Sequence, residues 1–391
     1  MNQQLSKKRL FIFSLIPILL FLFLLELSVR SFWEFEPNRV LCYDPIMGRS
    51  YCPGTKGYLK ENQVKMHVEV NADGLLGKPY PKERFNGKFR IALLGDSFTS
   101  AEAVKPEEKF AGIWEKYLSD KSNRDVEVIN FGVGGTGTWQ QLQMFHTKAR
   151  NYKPDLTVVA FCWCNDIENN IDKLKSGSMN PLLDEYDVGW FKILKAKRKN
   201  FNKLLWNNSG LYQFTRTKYN HLEHFFKRMF LPDYMKKVSV PLKKNKTKPK
   251  RKKVEEKKEK PPEYLKDTVS IFDDLFFFGS EGWVVTRKLL LKLKQEVLSG
   301  RGQLAVIHFG GVHQYRNFPV LPIQQFENFL ESQGIAHFNA FDLFKNIDDD
   351  FLNQNFIPND GHFSKIGHRH FAEYSSEFLL KLIEKINHRI S

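Results

Sequence analysis

Residues 91–99 read Ile-Ala-Leu-Leu-Gly-Asp-Ser-Phe-Thr, an apolar run that ends in a small, polar turn. A short continuous apolar run is typical of a buried parallel strand, and open α/β sheets place their chemistry at the C-terminal edge of such strands. Ser97 therefore lies where a nucleophile would lie. A serine after a strand is also a common helix N-cap, so the rest of the chain has to decide its role.

The chain around this stretch alternates strand, turn and helix. Three βα units in succession predict a parallel sheet wrapped by helices, with right-handed crossovers. The fold class is therefore α/β. We expect strands at 90–94, 126–131, 156–161, 303–308 and 336–339, and helices near 110–118, 139–151, 286–298, 323–332 and 365–388.

The first 30 residues differ from the rest. Basic residues 7–9 precede the apolar run 10–25, which continues weakly beyond Glu26 and is long enough to cross a bilayer. No Ala-x-Ala-like cleavage site follows. We expect an uncleaved signal anchor, with its basic end cytoplasmic and the remainder outside the cytoplasm, periplasmic or at the cell surface. The alternative is a cleaved signal peptide, and both interpretations export the main domain.

The formal charge of +16 is concentrated in one tract. Residues 236–260 contain thirteen Lys or Arg against three Glu, and Pro261-Pro262 closes the tract. Such a composition predicts a disordered insertion. It would contact an anionic partner, either lipid headgroups or an acidic polysaccharide, or it is simply a solvated loop. An extracytoplasmic location argues against nucleic acid.

The four cysteines form two pairs in sequence. Cys42 and Cys52 lie in a segment with Pro and Gly, where a disulfide is plausible in an oxidising compartment. Cys162 and Cys164 alternate along a presumed strand end, and residues two apart on a strand rarely reach disulfide geometry. We expect free buried thiols there. A zinc site would need two more ligands, and none is evident.

The remaining segments complete the domain organisation. Residues 31–88 alternate short extended pieces with turns and predict a cover on the main domain. Residues 191–231 interleave Phe, Leu and Trp with Lys and Arg, which predicts helices with an apolar face; we favour core packing over membrane-surface binding. The expected divisions are an anchor at 1–30, a cover segment at 31–88, a main domain at 89–185 and 281–391, and a helical insertion at 186–280 containing the Lys-rich tract 236–262.

Nucleophilic attack by serine needs a base, a carboxylate that holds the base, and donors for the developing oxyanion. Asp360-Gly361-His362 lies in a turn before the final helix and offers the first two on one loop. The flexible glycine between them lets carboxylate and imidazole approach each other.

A glycine-dense turn at 130–137 follows the second strand, and such backbone can aim N–H groups at an anion. Gly132, Gly134 and Gly137 also fit the dinucleotide pattern G-x-G-x-x-G, with Asp155 eighteen residues on. We disfavour that alternative because the pattern does not open the sheet, exported proteins seldom meet NAD, and it explains neither the serine nor the histidine.

The third strand ends at 161–166 with Asn165-Asp166. The neutral amide of Asn165 is a suitable oxyanion donor, although it is also an ordinary turn or cap residue. Because three consecutive strand ends carry such groups, all of them would lie along one edge of the sheet.

At this point the chain resembles the SGNH/GDSL esterase and lipase superfamily, over residues 89–170 and 300–385. The resemblance implies a flavodoxin-like, three-layer α/β/α domain with a central parallel sheet, after an N-terminal transmembrane helix. It is carried, in order, by Gly95-Asp96-Ser97, the turn 130–135, Asn165-Asp166 and Asp360-x-His362.

Carried over to this sequence, the resemblance implies that Ser97 is the nucleophile, His362 the general base and later acid, and Asp360 its orienter. The N–H groups of Ser97 and Gly135 and the side chain of Asn165 would form the oxyanion hole. In the family Asp96 supports the turn. The resemblance implies neither a metal nor a cofactor.

Two features depart from the common pattern. Asp360 precedes His362 by two residues rather than three, which is similar to the membrane-anchored branch whose relatives O-acetylate polysaccharides. Trp163 replaces the usual glycine of the third block, and we expect it to narrow the acyl pocket.

Other histidines compete for the base. His368 falls inside the final helix and is expected to be structural. His308 and His313 lie at or after a strand end, and the sequence places no carboxylate near either of them.

The sequence thus predicts an extracytoplasmic serine esterase or acylhydrolase that forms an acyl-enzyme. Its substrate would be an acyl ester, such as the O-acetyl groups of a cell-surface glycan or a lipid. One alternative is a polysaccharide O-acetyltransferase that uses the same residues. Another is a non-catalytic surface binding or assembly protein, with the Lys-rich tract as its working part.

Overall fold

The computed structural model describes residues 7–32, 40–61, 64–83, 87–175, 190–216, 218–219, 280–317, 320–344, 348–358 and 360–390. The chain forms two compact units, one of residues 1–38 and 198–268 and the other of residues 39–197 and 269–391. The Lys-rich tract and most of the expected insertion lie outside the described residues.

Strands and helices alternate through most of the described chain. The strands are β1 Leu41–Cys42, β2 Ser50–Tyr51, β3 Lys56–Glu61, β4 Val64–Glu69, β5 Phe89–Leu94, β6 Val126–Asn130, β7 Leu156–Cys162, β8 Gln303–Phe309 and β9 Ala336–Asn339. The helices are α1 Lys7–Phe32, α2 Ser97–Ser100, α3 Phe110–Ser122, α4 Thr138–Thr147, α5 Asp166–Lys175, α6 Trp190–Asn208, α7 Glu281–Ser299, α8 Val312–Asn317, α9 Val320–Ser332, α10 Asp349–Asn355 and α11 Lys365–Ile390.

Five parallel strands form the central sheet, in the order β6-β5-β7-β8-β9. Counted along the chain, these strands have the flavodoxin-like order 2-1-3-4-5, in which the crevice lies between the first and third strands. Strands β5 and β7 are buried along their whole length. The prediction of an α/β fold with a central parallel sheet is confirmed.

Side chains of β5 alternate between the two faces of the sheet. Ala92 and Leu94 belong to a core with α4, α7 and α9, whereas Ile91 and Leu93 belong to a second core with α3 and α11. Helices therefore cover both faces, which gives three layers. This arrangement explains the continuous apolar runs, since a strand buried on both faces does not alternate apolar with polar residues.

The cover segment consists of two antiparallel hairpins, β1-β2 and β3-β4. A disulfide between Cys42 and Cys52, with Cα atoms 5.1 Å apart, closes the first hairpin. Asp44 Oδ1 accepts the N–H groups of Ile46 and Met47 and holds the turn between the two strands. The hairpin is therefore braced both covalently and by its own turn.

The expectation of free thiols at Cys162 and Cys164 is wrong, because the two residues form a disulfide. Strand β7 ends at Cys162 and residues 163–165 form a turn. The argument from strand geometry does not apply beyond the last strand residue. The turn brings the Cα atoms to 5.2 Å, within the range that a disulfide requires.

The smaller unit contains α1, whose residues 13–32 have a mean hydropathy of 2.1 and are long and apolar enough to cross a membrane. Within this unit, Glu26 accepts hydrogen bonds from Ser209 Oγ and from the N–H groups of Gly210 and Leu211. The Glu26 carboxylate thereby caps the helical segment 210–216. Glu26, the one acidic residue of α1, thus has hydrogen-bond partners within this unit.

Helix α6 carries part of the expected amphipathic region. Its Phe201 and Leu204 side chains are exposed. The expectation of core packing is therefore wrong for these two side chains.

Candidate active site

Ser97 is the first residue of α2, directly after β5. Asp96 is the N-cap of this helix: its Oδ1 accepts the N–H of Phe98 at 2.9 Å. The sequence leaves open whether Ser97 is a helix N-cap, and the structure shows that Asp96 is the N-cap instead. The Ser97 hydroxyl is available to another partner.

That partner is His362, whose Nε2 atom lies 2.6 Å from Ser97 Oγ. On its other side His362 Nδ1 contacts Asp360 Oδ1, which also accepts the His362 N–H at 3.1 Å. Gly361 between them has φ +89°, a left-handed conformation that favours glycine. The Asp360 side chain is 2% exposed and that of His362 is 26% exposed, so the carboxylate is buried while the imidazole reaches the surface.

Aromatic packing holds the imidazole in place. The Phe98 ring lies 4.8 Å from the His362 ring and 4.9 Å from the Phe363 ring, measured between centroids. Phe98 is the residue after the serine, so α2 both presents the hydroxyl and supports the ring that faces it.

The glycine turn after β6 wraps around α2. Asn130 Nδ2 donates to the Thr99 carbonyl at 2.7 Å, and Asn130 Oδ1 accepts the Gly132 N–H. A methyl group on Gly132 would lie 2.6 Å from the Ser100 nitrogen. Helix α2 occupies the space beside Gly132, which supports the esterase interpretation of this turn over the nucleotide-binding one.

Further along the turn, Gly134 lies beside the serine. A methyl group on Gly134 would be 3.6 Å from Ser97 Cβ. The next residue, Gly135, is exposed and has φ +70°. Among the described residues, no backbone acceptor pairs with the Gly135 N–H. The structure thus brings the turn of Gly134 and Gly135 to the serine.

Asn165 and two buried acids lie beneath this site. Burial raises the pKa of Asp96 to about 6, opposed by the Phe98 N–H, the His362 charge and a hydrogen bond with the Asn165 side chain. Burial and the neighbouring Asp96 also raise the pKa of Asp166 well above its ordinary value. Asn165 therefore lies near Asp96, the residue before Ser97.

Asp166 was not singled out by the sequence as a buried acid. It accepts the N–H of Cys162 at 3.1 Å and both carboxylate oxygens face Gln141 Nε2 at 3.3 Å. Lys109 is a second missed residue: its buried ammonium donates to the Ser100 carbonyl at 2.6 Å, at the C-terminus of α2. Burial lowers the pKa of Lys109 to about 8. Asp166 belongs to the Asn165-Asp166 block, but the block does not indicate its burial, and no local motif marks Lys109.

Trp163 does not narrow an acyl pocket, contrary to expectation. Its side chain is 2% exposed and packs against Trp283, Phe326 and Phe341. As the first residue after β7 it points into the core on the α7 and α9 side of the sheet. The substituted position therefore belongs to the core.

Two of the competing histidines are buried in the core. His368 is buried, its Nδ1 accepts the Phe110 N–H at 3.4 Å, and burial lowers its pKa to about 3. His308 is also buried, but a carboxylate does lie near it: Glu327 Oε1 is 3.5 Å from His308 Nε2. The expectation that no carboxylate accompanies His308 is wrong, because α9 folds back over β8 and brings Glu327 to it. His313 lies in α8.

Ligand atoms of Asp96, Cys162 and Cys164 lie within 4.8 Å of one another. The two sulfurs are joined in a disulfide, however, and a disulfide lacks the thiolates that bind a metal. These three residues as they stand do not fit a metal centre.

No protein-family model matches the chain, and no curated protein matches it either. Solved structures do match. A putative lipolytic protein of the G-D-S-L family from Desulfitobacterium hafniense DCB-2 has 12% identity and a TM-score of 0.35, with 74% of this chain and 98% of that chain covered. The psychrotrophic esterase EstA from Pseudoalteromonas sp. has 10% identity and a TM-score of 0.37, with 75% and 98% covered.

An acetyl xylan esterase is also similar, with 11% identity, a TM-score of 0.36, and 73% of this chain and 96% of that chain covered. The strand order and the placement of the four blocks, both read from this chain, agree with the SGNH-type α/β/α fold.

Proposed function

We propose that the chain is a serine esterase or acylhydrolase that works through an acyl-enzyme. The observation that carries the proposal is the continuous contact from Ser97 Oγ to His362 Nε2 and from His362 Nδ1 to Asp360. These are the contacts that nucleophile, base and orienting carboxylate make in a serine triad. The serine is partly exposed at the carboxyl edge of the sheet, where a substrate can reach it.

In the acylation step, Ser97 Oγ attacks the ester carbonyl carbon while His362 Nε2 takes the hydroxyl proton. The buried Asp360 carboxylate keeps the proton of His362 on Nδ1 and stabilises the imidazolium that forms. The tetrahedral intermediate collapses, the bond to the alcohol oxygen breaks, and His362 returns the proton to the departing alcohol. An acyl group remains on Ser97.

Water resolves the acyl-enzyme by the reverse sequence, with His362 again accepting and then returning the proton. A sugar hydroxyl can replace water without any change in these three residues, and the product is then a transferred acyl group. Analysis of products in the presence of a polysaccharide acceptor distinguishes an O-acetyltransferase from a hydrolase.

The developing oxyanion requires donors on the side of Ser97 opposite the histidine. We assign this role to the N–H groups of Ser97 and Gly135 and to the side chain of Asn165. The support is their placement: the glycine turn packs beside Ser97, and Asn165 lies close enough to Asp96, the cap of the same helix, to lower its pKa.

We further propose that α1 anchors the enzyme and that its catalytic domain lies outside the cytoplasm. The apolar run of α1 and the basic residues 7–9 at its start support this orientation. The expected substrate is then an ester accessible from the membrane surface, on a glycan or a lipid, with the Lys-rich tract as a contact for anionic lipid or polysaccharide.

The proposal is tested by hydrolysis of 4-nitrophenyl acetate by the full chain in detergent. Ser97→Ala and His362→Ala should each lose nearly all activity above background, since the members of a triad act as a unit. Ser332→Ala, at the exposed end of α9, is the matched control and should leave the rate unchanged. A Ser97→Ala protein as fast as the parent would contradict the proposal.

A further inference from the structure

Arg49 belongs to the cover segment but lies at the catalytic serine's glycine turn. Its Nη1 atom donates to the Gly134 carbonyl at 3.3 Å. The same atom lies 3.6 Å from the position of a methyl group on Gly135 and 3.9 Å from that on Gly134. The guanidinium is therefore in contact with the backbone that we assign to the oxyanion hole, and nothing in the four sequence blocks points to it.

The bond to the Gly134 carbonyl has a definite consequence for Gly135. The Gly134 C=O and the Gly135 N–H are the two ends of one peptide group, and in a trans peptide they point in opposite directions. A donor that fixes the carbonyl on one side therefore fixes the N–H on the other. The cation also polarises the peptide, which strengthens the N–H as a donor.

The turn needs such a restraint. Gly134 and Gly135 lack side chains, Gly135 is exposed with φ +70°, and a Gly-Gly peptide has more conformational freedom than any other. Oxyanion donors are effective when they are held in place before the reaction. An unrestrained Gly-Gly peptide would have to be ordered during the reaction itself.

The hairpin that carries Arg49 is held in place. It directly precedes β2 in the hairpin that the Cys42–Cys52 disulfide closes. Two residues later the Tyr51 hydroxyl donates to Glu102, which lies just beyond α2 and within 3.5 Å of a methyl group on Gly134. The hairpin is thus fastened to the segment that carries the serine, so the backbone of Arg49 stands where its side chain reaches the Gly134 carbonyl.

We propose that Arg49 is a positioning residue of the oxyanion hole: by binding the Gly134 carbonyl it directs the Gly135 N–H toward the substrate oxygen. This inference rests on the proposed esterase function and deepens it. The cover segment then serves the chemistry as well as shielding the domain. Arg49 is exposed and makes no ion pair among the described residues, so its charge alone would also suit the binding of an anionic substrate. The experiment distinguishes this role from positioning.

The experiment compares Arg49→Ala and Arg49→Lys with the parent on neutral 4-nitrophenyl acetate and anionic mono-4-nitrophenyl succinate. A positioning role predicts that Arg49→Ala lowers kcat about tenfold on both esters with KM nearly unchanged, less than the roughly 10²–10³-fold loss for deleting a donor. Arg49→Lys, which keeps one donor, should recover most of the loss. Lys56→Ala, an exposed cation of the same cover segment, is the control and should leave both rates unchanged.

A second measurement is the rate at which a neutral fluorophosphonate inactivates each variant, since the phosphoryl oxygen occupies the same hole. This rate should fall in Arg49→Ala and recover in Arg49→Lys. A loss confined to the succinate ester, or no loss with any reagent, would overturn the inference while leaving the esterase proposal intact. A parent protein that hydrolyses neither ester and is not inactivated would overturn both.

Discussion

His362 Nε2 lies 2.6 Å from Ser97 Oγ although 265 residues separate the two in sequence. The approach is possible because β5 and the turn before α11 meet at the same edge of the sheet. The packing of the core on both faces of the sheet fixes β5 and α11, and thereby the positions of both residues.

The first prediction concerns Asp360. Asp360→Asn keeps the shape of the side chain but removes its charge and favours the wrong imidazole tautomer, so kcat should fall by about 10²–10⁴-fold. KM and the free energy of unfolding should change little. Asp350→Asn, a nearby acid in α10, is the control, and a variant of Asp360 with the parental kcat would count against the triad.

The second prediction concerns Gly132. A methyl group there would lie 2.6 Å from the Ser100 nitrogen, which is backbone and cannot turn away. Gly132→Ala should therefore destabilise the protein by about 1–3 kcal/mol and displace α2. In Gly300→Ala the nearest atom would be 3.4 Å away, so this matched variant should unfold like the parent. Denaturant unfolding measures both, and equal midpoints would refute the packing described here.

The third prediction is a pH dependence from Asp96. Its pKa is raised in the folded protein to about 6, so the folded state favours the protonated acid. The stabilisation is fully present below the unfolded pKa of about 4 and is lost as the pH rises through 6. Relative to the parent, Asp96→Asn should thus become progressively more stable between pH 4 and pH 7. Urea unfolding at several pH values measures this difference, and a difference that does not vary with pH would exclude the assignment.

The fourth prediction is a pH dependence of stability from His368, in the direction opposite to that from Asp96. Burial lowers the pKa of His368 to about 3, so the folded protein favours the neutral ring. This contribution is present above the unfolded pKa of about 6.5 and is lost as the pH falls toward 3, at up to about 1.4 kcal/mol per pH unit. His368→Gln cannot titrate and can still accept the Phe110 N–H. Between pH 6.5 and 4 this variant should lose less stability than the parent in urea unfolding. It should also keep its activity at pH 7, and a loss of that activity would indicate that His368 is catalytic.

Much of the fold could be predicted because its signals are local. Continuous apolar runs predict the buried strands, and the residues directly after those strands indicate the candidate site. Asp360-Gly361-His362 could be proposed from its spacing together with the other three blocks. The left-handed φ of Gly361 supplies the physical reason for that spacing.

The missed features depend on where the chain turns and what it meets in space. Trp163 points into the same core as Val159 and Phe161, so it belongs to the packing of the sheet. Cys162 bonds Cys164 because β7 ends at Cys162 and the chain turns directly after it. Glu327 reaches His308 only through the packing of α9 on β8. No sequence motif marks Arg49 as a site residue, because its contact with Gly134 joins two loops that are distant in sequence.

The most direct test of the central claim is the site of covalent labelling by a fluorophosphonate, mapped by mass spectrometry on the full chain. A serine triad at this site should give a single adduct on Ser97, abolished in Ser97→Ala and formed much more slowly in His362→Ala. Ser332→Ala should be labelled like the parent. An unmodified Ser97, or an equal adduct in the Ser97→Ala protein, would contradict it and would favour a binding protein built on the same fold.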